Sequence, residues 1–73
     1  MPKSVHSALY KRFLECLRKA RLEKGLTQKQ VAERLNRPQS YVAKCENGER
    51  RVDIVELAEF ATLYEKPLTY FLE

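Results

Sequence analysis

Gln39, Ser40 and Lys44 carry the most specific chemistry in this chain of 73 residues. An amide, a hydroxyl and an ammonium group recur there within little more than one helical turn. Groups of these types hydrogen-bond to base edges, Gln to adenine and Lys to guanine. Arg50 and Arg51 follow closely, and their guanidiniums suit phosphate oxygens. A solvated helix face and an ordinary polar loop are the plainer readings of the same residues.

Other chemistries find little support. His6, Cys16 and Cys45 have no zinc-ligand spacing, so neither metal nor cofactor is expected. The two cysteines read as reduced helix residues, which behave as small hydrophobes; a redox switch is the sharper alternative. There is no nucleophile–base arrangement, no Gly-rich phosphate loop and no paired carboxylates beside a plausible cleft. A chain this short buries only about 60% of its surface on folding. It cannot spare core for a sizeable pocket, and an enzyme is not expected.

The elements that must position these groups are helices. The pattern predicts one all-α domain over residues 7–73, preceded by a flexible N-terminus, 1–6. Tyr10, Phe13, Leu14, Leu17 and Ala20 form an apolar stripe on a first helix from about Ser7 to Lys24. Gly25 suits the left-handed residue that ends it. Thr27 and Gln30 form a capping box, with Leu26 and Val31 as its hydrophobic staple. They open a second helix, about Gln28 to Leu35. Asn36-Arg37-Pro38 breaks the chain, since Pro cannot continue one helix but suits the first turn of another. The third helix runs from about Gln39 to Glu46, with Val42 and Cys45 inward and Gln39, Ser40, Tyr41 and Lys44 exposed. Asp53 and Glu56 cap a fourth helix, about Ile54 to Tyr64, which buries Leu57, Phe60, Ala61 and Tyr64. A short fifth helix starts near Pro67. Two helices of about eight residues joined by a tight turn make a helix-turn-helix.

Charge supports an anionic partner. The formal net charge of +4 is unevenly spread. Residues 1–52 hold thirteen Lys/Arg and five Asp/Glu, whereas residues 53–73 hold one and five. The basic part contains the second and third helices. No secretory signal or membrane span is visible, and a cytoplasmic protein is expected.

Leu26-Thr27-Gln28-Lys29-Gln30-Val31-Ala32 and Pro38-Gln39-Ser40-Tyr41-Val42-Ala43-Lys44-Cys45-Glu46-Asn47-Gly48 together resemble the phage Cro and repressor-like (XRE) helix-turn-helix family. The resemblance extends from about Leu17 to Phe71. It implies a compact five-helix, lambda-repressor-like domain that binds double-stranded DNA. It further implies that Gln39, Ser40 and Lys44 face base edges, while Tyr41 and Asn47 touch the backbone. Gln28 would contact a phosphate and brace Gln39, with Lys29 also on the phosphate side. Arg21 would form a largely buried ion pair with Glu46. Three positions depart from the family pattern. Asn36 replaces the usual Gly of the turn. Pro38 replaces a Ser or Thr cap worth about 1 kcal/mol. Ala43 replaces a polar groove-facing residue, where it could contact a thymine methyl.

Leu68, Tyr70, Phe71 and Leu72 exceed what one core face needs, and read as a dimer seam or as terminal packing. The leading expectation is a homodimeric regulator, a repressor on a palindromic operator, acting by occupancy because so short a chain has no room for an effector domain. An antitoxin or restriction–modification controller would use the same fold. A module of another class, binding proteins or a membrane surface through the basic first helix, is the third reading. Glu15 and Glu23, with the aromatic stripe, argue that this helix packs in a core.

Overall fold

The computed structural model describes residues 7–72, so the expectation for residues 1–6 lies outside the described residues. Four α-helices are present: α1 (Ala8–Lys24), α2 (Gln28–Leu35), α3 (Gln39–Asn47) and α4 (Ile54–Tyr64). The chain closes on a 3-10 helix, Leu68–Leu72. No strand occurs among the described residues.

The short fifth helix expected near Pro67 is thus a 3-10 helix rather than a fifth α-helix. Pro67 precedes it, and five residues leave little room for i→i+4 bonding. The Tyr70 N–H donates instead to the Pro67 carbonyl at 3.0 Å.

Local chemistry sets the other boundaries. The Ser7 hydroxyl accepts from the Tyr10 N–H at the start of α1. Thr27 and Gln30 exchange hydrogen bonds at 3.1 and 2.8 Å, satisfying two orphan donors of α2. Asp53 and Glu56 do the same for α4, at 2.7 and 3.0 Å. Gly25 ends α1 at φ 77°, a conformation that costs an L-residue with a Cβ. Asn36 ends α2 at φ 58°, which its short polar side chain tolerates. Pro38 precedes α3 with no side-chain cap bond.

The helices enclose one core. Leu17, Ala20, Val31, Val42, Cys45, Phe60, Tyr64 and Phe71 form its centre. α2 packs on α3, while α1 packs on α3, α4 and the 3-10 helix. The apolar stripe of α1 is thus spent on the protein interior, through Leu17, Ala20 and Phe13. No helix among the described residues is long and apolar enough to cross a membrane.

Two core hydroxyls, Tyr41 Oη and Tyr64 Oη, are buried without a hydrogen-bond partner among the described residues. Leaving such a group unpaired costs about 1–3 kcal/mol. Tyr64→Phe is expected to stabilise the fold by about 1 kcal/mol in urea denaturation. Burial also favours the neutral phenols. It pushes Tyr41 up to about 12 and raises Tyr64 as well. A group whose folded pKa lies above its unfolded value of about 10 leaves stability independent of pH below that value, where both states keep the proton. As pH climbs from there towards the folded value, the unfolded chain gives up its proton first and stability falls. Stability should therefore hold to about pH 10 and fall beyond it, with a shallower fall in Tyr64→Phe. A Tyr64→Phe protein less stable than the wild type would mean that the hydroxyl has a partner.

Candidate nucleic-acid interface

The solvent face of α3 presents Gln39, Ser40, Lys44 and Asn47, all exposed, with Ala43 half-buried beside them. The opposite face holds Tyr41, Val42, Cys45 and Glu46, all buried. This one-sided anchoring leaves no slack in the rotation of α3 about its own axis. The polar side chains are therefore offered as a fixed row on a helix whose width suits the major groove.

The anchor is an ion pair. Arg21 Nε lies 2.7 Å from Glu46 Oε2, and Arg21 Nη2 lies 3.1 Å from Glu46 Oε1. The side chains are only 10% and 3% exposed. Arg21 Nη1 also donates to the Leu26 carbonyl at 3.0 Å, and Gln28 Nε2 donates to Glu46 Oε1 at 3.0 Å. One carboxylate thus joins α1, the start of α2 and α3. Its hydrogen bond to Arg21 raises the arginine's pKa further. Gln28 braces Glu46 here; no hydrogen bond links it to Gln39 among the described residues.

Two residues expected on the DNA backbone side are engaged within the protein. Tyr41 is buried, not exposed. Its ring stacks on Phe60, with centroids 6.1 Å apart and planes 4° from parallel. The stripe that includes Val42 and Cys45 is one residue wider than those two alone indicate. Arg50 is engaged internally. Its guanidinium meets the Glu56 carboxylate at two points, both 2.8 Å, and lies 4.8 Å from the Tyr41 ring centroid. Arg37, in the turn between α2 and α3, lies 4.5 Å from the same centroid and 3.3 Å from Glu59.

Lys29, Lys44 and Arg51 remain. All three are exposed, and none has a carboxylate of the described residues within salt-bridge distance. Arg51 lies 4.8 Å from the Tyr10 ring centroid, which steadies the guanidinium without neutralising it.

The C-terminal residues separate into two groups. Phe71 is corrected from seam to core: it is buried, with its ring 6.5 Å from that of Phe13. Tyr70 is half-buried and donates to Glu23 at 3.2 Å, with Lys66 over its ring. Leu68 and Leu72 are exposed. Leu9, Ile54 and Val55 were not anticipated as surface residues, yet each, like Leu72, is about two-thirds exposed. A groove of about 350 Å³ runs between Leu9, Phe13, Val52, Ile54, Leu57 and Leu72, with Arg12 and Asp53 also lining it. The adjacent pair Ile54-Val55 beside inward Leu57 was the available signal, because three apolar residues in four positions overfill one helix face.

Two short helices in this arrangement define a helix-turn-helix protein, a class of DNA-binding regulators. The chain belongs to the helix-turn-helix family, whose model matches residues 17–71. Within that class it is of the XRE type. It is similar to the solved structure of an XRE-family like protein from Pseudomonas syringae pv. tomato. The two are 42% identical, with a TM-score of 0.82 over 94% of this chain and 86% of that one. No curated protein matches the chain.

Proposed function

We propose that the protein is a sequence-specific transcriptional repressor that binds a palindromic operator as a homodimer. The observation that carries this reading is the exposed row Gln39, Ser40 and Lys44 on a helix locked by a buried ion pair. Those three groups read base edges, and Ala43 lies against a thymine methyl. Lys29, Asn47 and Arg51 hold the phosphates and set the register. One such helix reads only a few base pairs, so a second copy supplies the rest of the address.

The second copy docks on the apolar groove beside Leu9, Ile54, Val55 and Leu72. Val52 and Asp53, which line that groove, directly follow Arg51, so the seam lies next to the DNA-facing loop. A two-fold interface is self-complementary, and Arg12 of one copy meets Asp53 of the other. Repression follows by occupancy, since a dimer seated on a promoter excludes polymerase.

Fluorescence anisotropy on labelled duplexes tests this reading. Lys44→Ala should cost about 1–3 kcal/mol on the preferred site and relax specificity at one position. Arg51→Ala should weaken all sequences alike and reduce the salt slope by about 1. Equal affinity of both variants and the wild type for that site would contradict the assignment.

A further inference from the structure

Glu56 is placed unusually for an acidic residue beside a basic loop. Its side chain is only 12% exposed. It closes the α4 capping box by accepting from the Asp53 N–H at 3.0 Å. It also receives both arms of Arg50 at 2.8 Å, and Arg37 Nη1 lies 4.0 Å away. A carboxylate held in a two-point guanidinium fork mimics a phosphate's recognition geometry. Arg50 is thereby satisfied within the protein, while its neighbour Arg51 is left free of carboxylates of the described residues.

We propose that Glu56 is a specificity-determining residue that occupies Arg50 as an internal phosphate mimic and so lowers affinity for non-specific DNA. The proposal rests on the DNA-binding reading above. Non-specific affinity comes almost entirely from cations that neutralise phosphates. Each cation withheld therefore lowers the background without touching the base-reading row on α3. The pairing is maintained at neutral pH, because the hydrogen bonds from Arg50 hold the Glu56 carboxyl below the usual range. Arg50 also lies over Tyr41, a buried residue of α3. The same contact that withholds the charge thus steadies the loop against the recognition helix.

The test is anisotropy on a duplex of random sequence between 50 and 200 mM salt. Glu56→Gln removes the charge but keeps an oxygen to accept from Asp53, so the cap survives. It should bind this duplex more tightly, with the plot of log K against log salt steeper by about 0.9. Its advantage over the wild type should then shrink about 3.5-fold across that salt range. Glu56→Gln with Arg50→Gln has the wild type's formal charge and should return to wild-type affinity and slope. Arg50→Lys keeps Glu56 and the cap but gives up the planar fork. It should show the same change at smaller amplitude, and it serves if Glu56→Gln fails to fold. An unchanged slope in both Glu56→Gln and Arg50→Lys would overturn the proposal. So would a gain that persists in the double variant, since Arg50, absent there, could not be its source. If the wild type binds neither random nor selected duplexes, the DNA-binding reading fails and this proposal with it.

Discussion

Glu46→Ala is expected to destabilise the protein by about 3–5 kcal/mol, because it strands a buried guanidinium. Arg21 would lose hydrogen bonds of 2.7 and 3.1 Å, and Gln28 one of 3.0 Å. Only the Leu26 carbonyl, at 3.0 Å, would remain for Arg21. A domain of this size has about 4–11 kcal/mol of total stability, so the loss would remove a large share of it. The attraction between the two charges is not the reason for the size of the effect. Desolvating both ions costs several kcal/mol, which their pairing roughly offsets. Replacing both by apolar residues of similar volume, Arg21→Met with Glu46→Leu, should therefore recover most of the lost stability. Urea denaturation of the single and double variants measures this. A single variant within 1 kcal/mol of the wild type would place the pair among ordinary surface ion pairs.

Ile54→Asp with Leu72→Asp should leave the fold intact and abolish the proposed dimer. Both side chains are about two-thirds exposed, so a carboxylate there stays hydrated in the monomer. In the dimer the carboxylates would be desolvated against an apolar groove without a cationic partner for each. DNA affinity should fall at the same time. Linking two half-site readers raises affinity by roughly 10²–10⁴ over one reader alone, and the variant forfeits that gain. Sedimentation velocity would show the monomer, and anisotropy on the symmetric site would show a loss of at least about 100-fold. A monomeric variant that binds the site as tightly as the wild type would mean that the two-fold arrangement does not contribute.

The helices were legible because their ends carry chemistry that acts locally. Thr27 with Gln30, Asp53 with Glu56, and Gly25 each specify a boundary within four residues of chain. The exposed polar row was legible for the same reason, since Pro38 immediately precedes α3 and the polar residues of that helix fall on one side. What escaped depends on distant residues. Whether Tyr41 faces water or Phe60 is decided by α4, nineteen residues on. Phe71 is drawn inward by Phe13 at the other end of the chain. Arg50 is a free cation in the sequence and a paired one in the fold, because α4 brings Glu56 to it. Ile54 and Val55 are apolar residues of α4, yet no element covers them among the described residues. Periodicity identifies a helix; it does not say which of its apolar residues finds a neighbour.

The proposed function requires that α3 read a specific sequence and that two copies read it together. Selection of binding sites from random duplex DNA with the purified wild-type protein tests both at once. Enrichment of a two-fold symmetric sequence with half-sites about 34 Å apart, one turn of the duplex, is expected. Failure to enrich any sequence, or enrichment of one unsymmetrical site bound by a single copy, would contradict it.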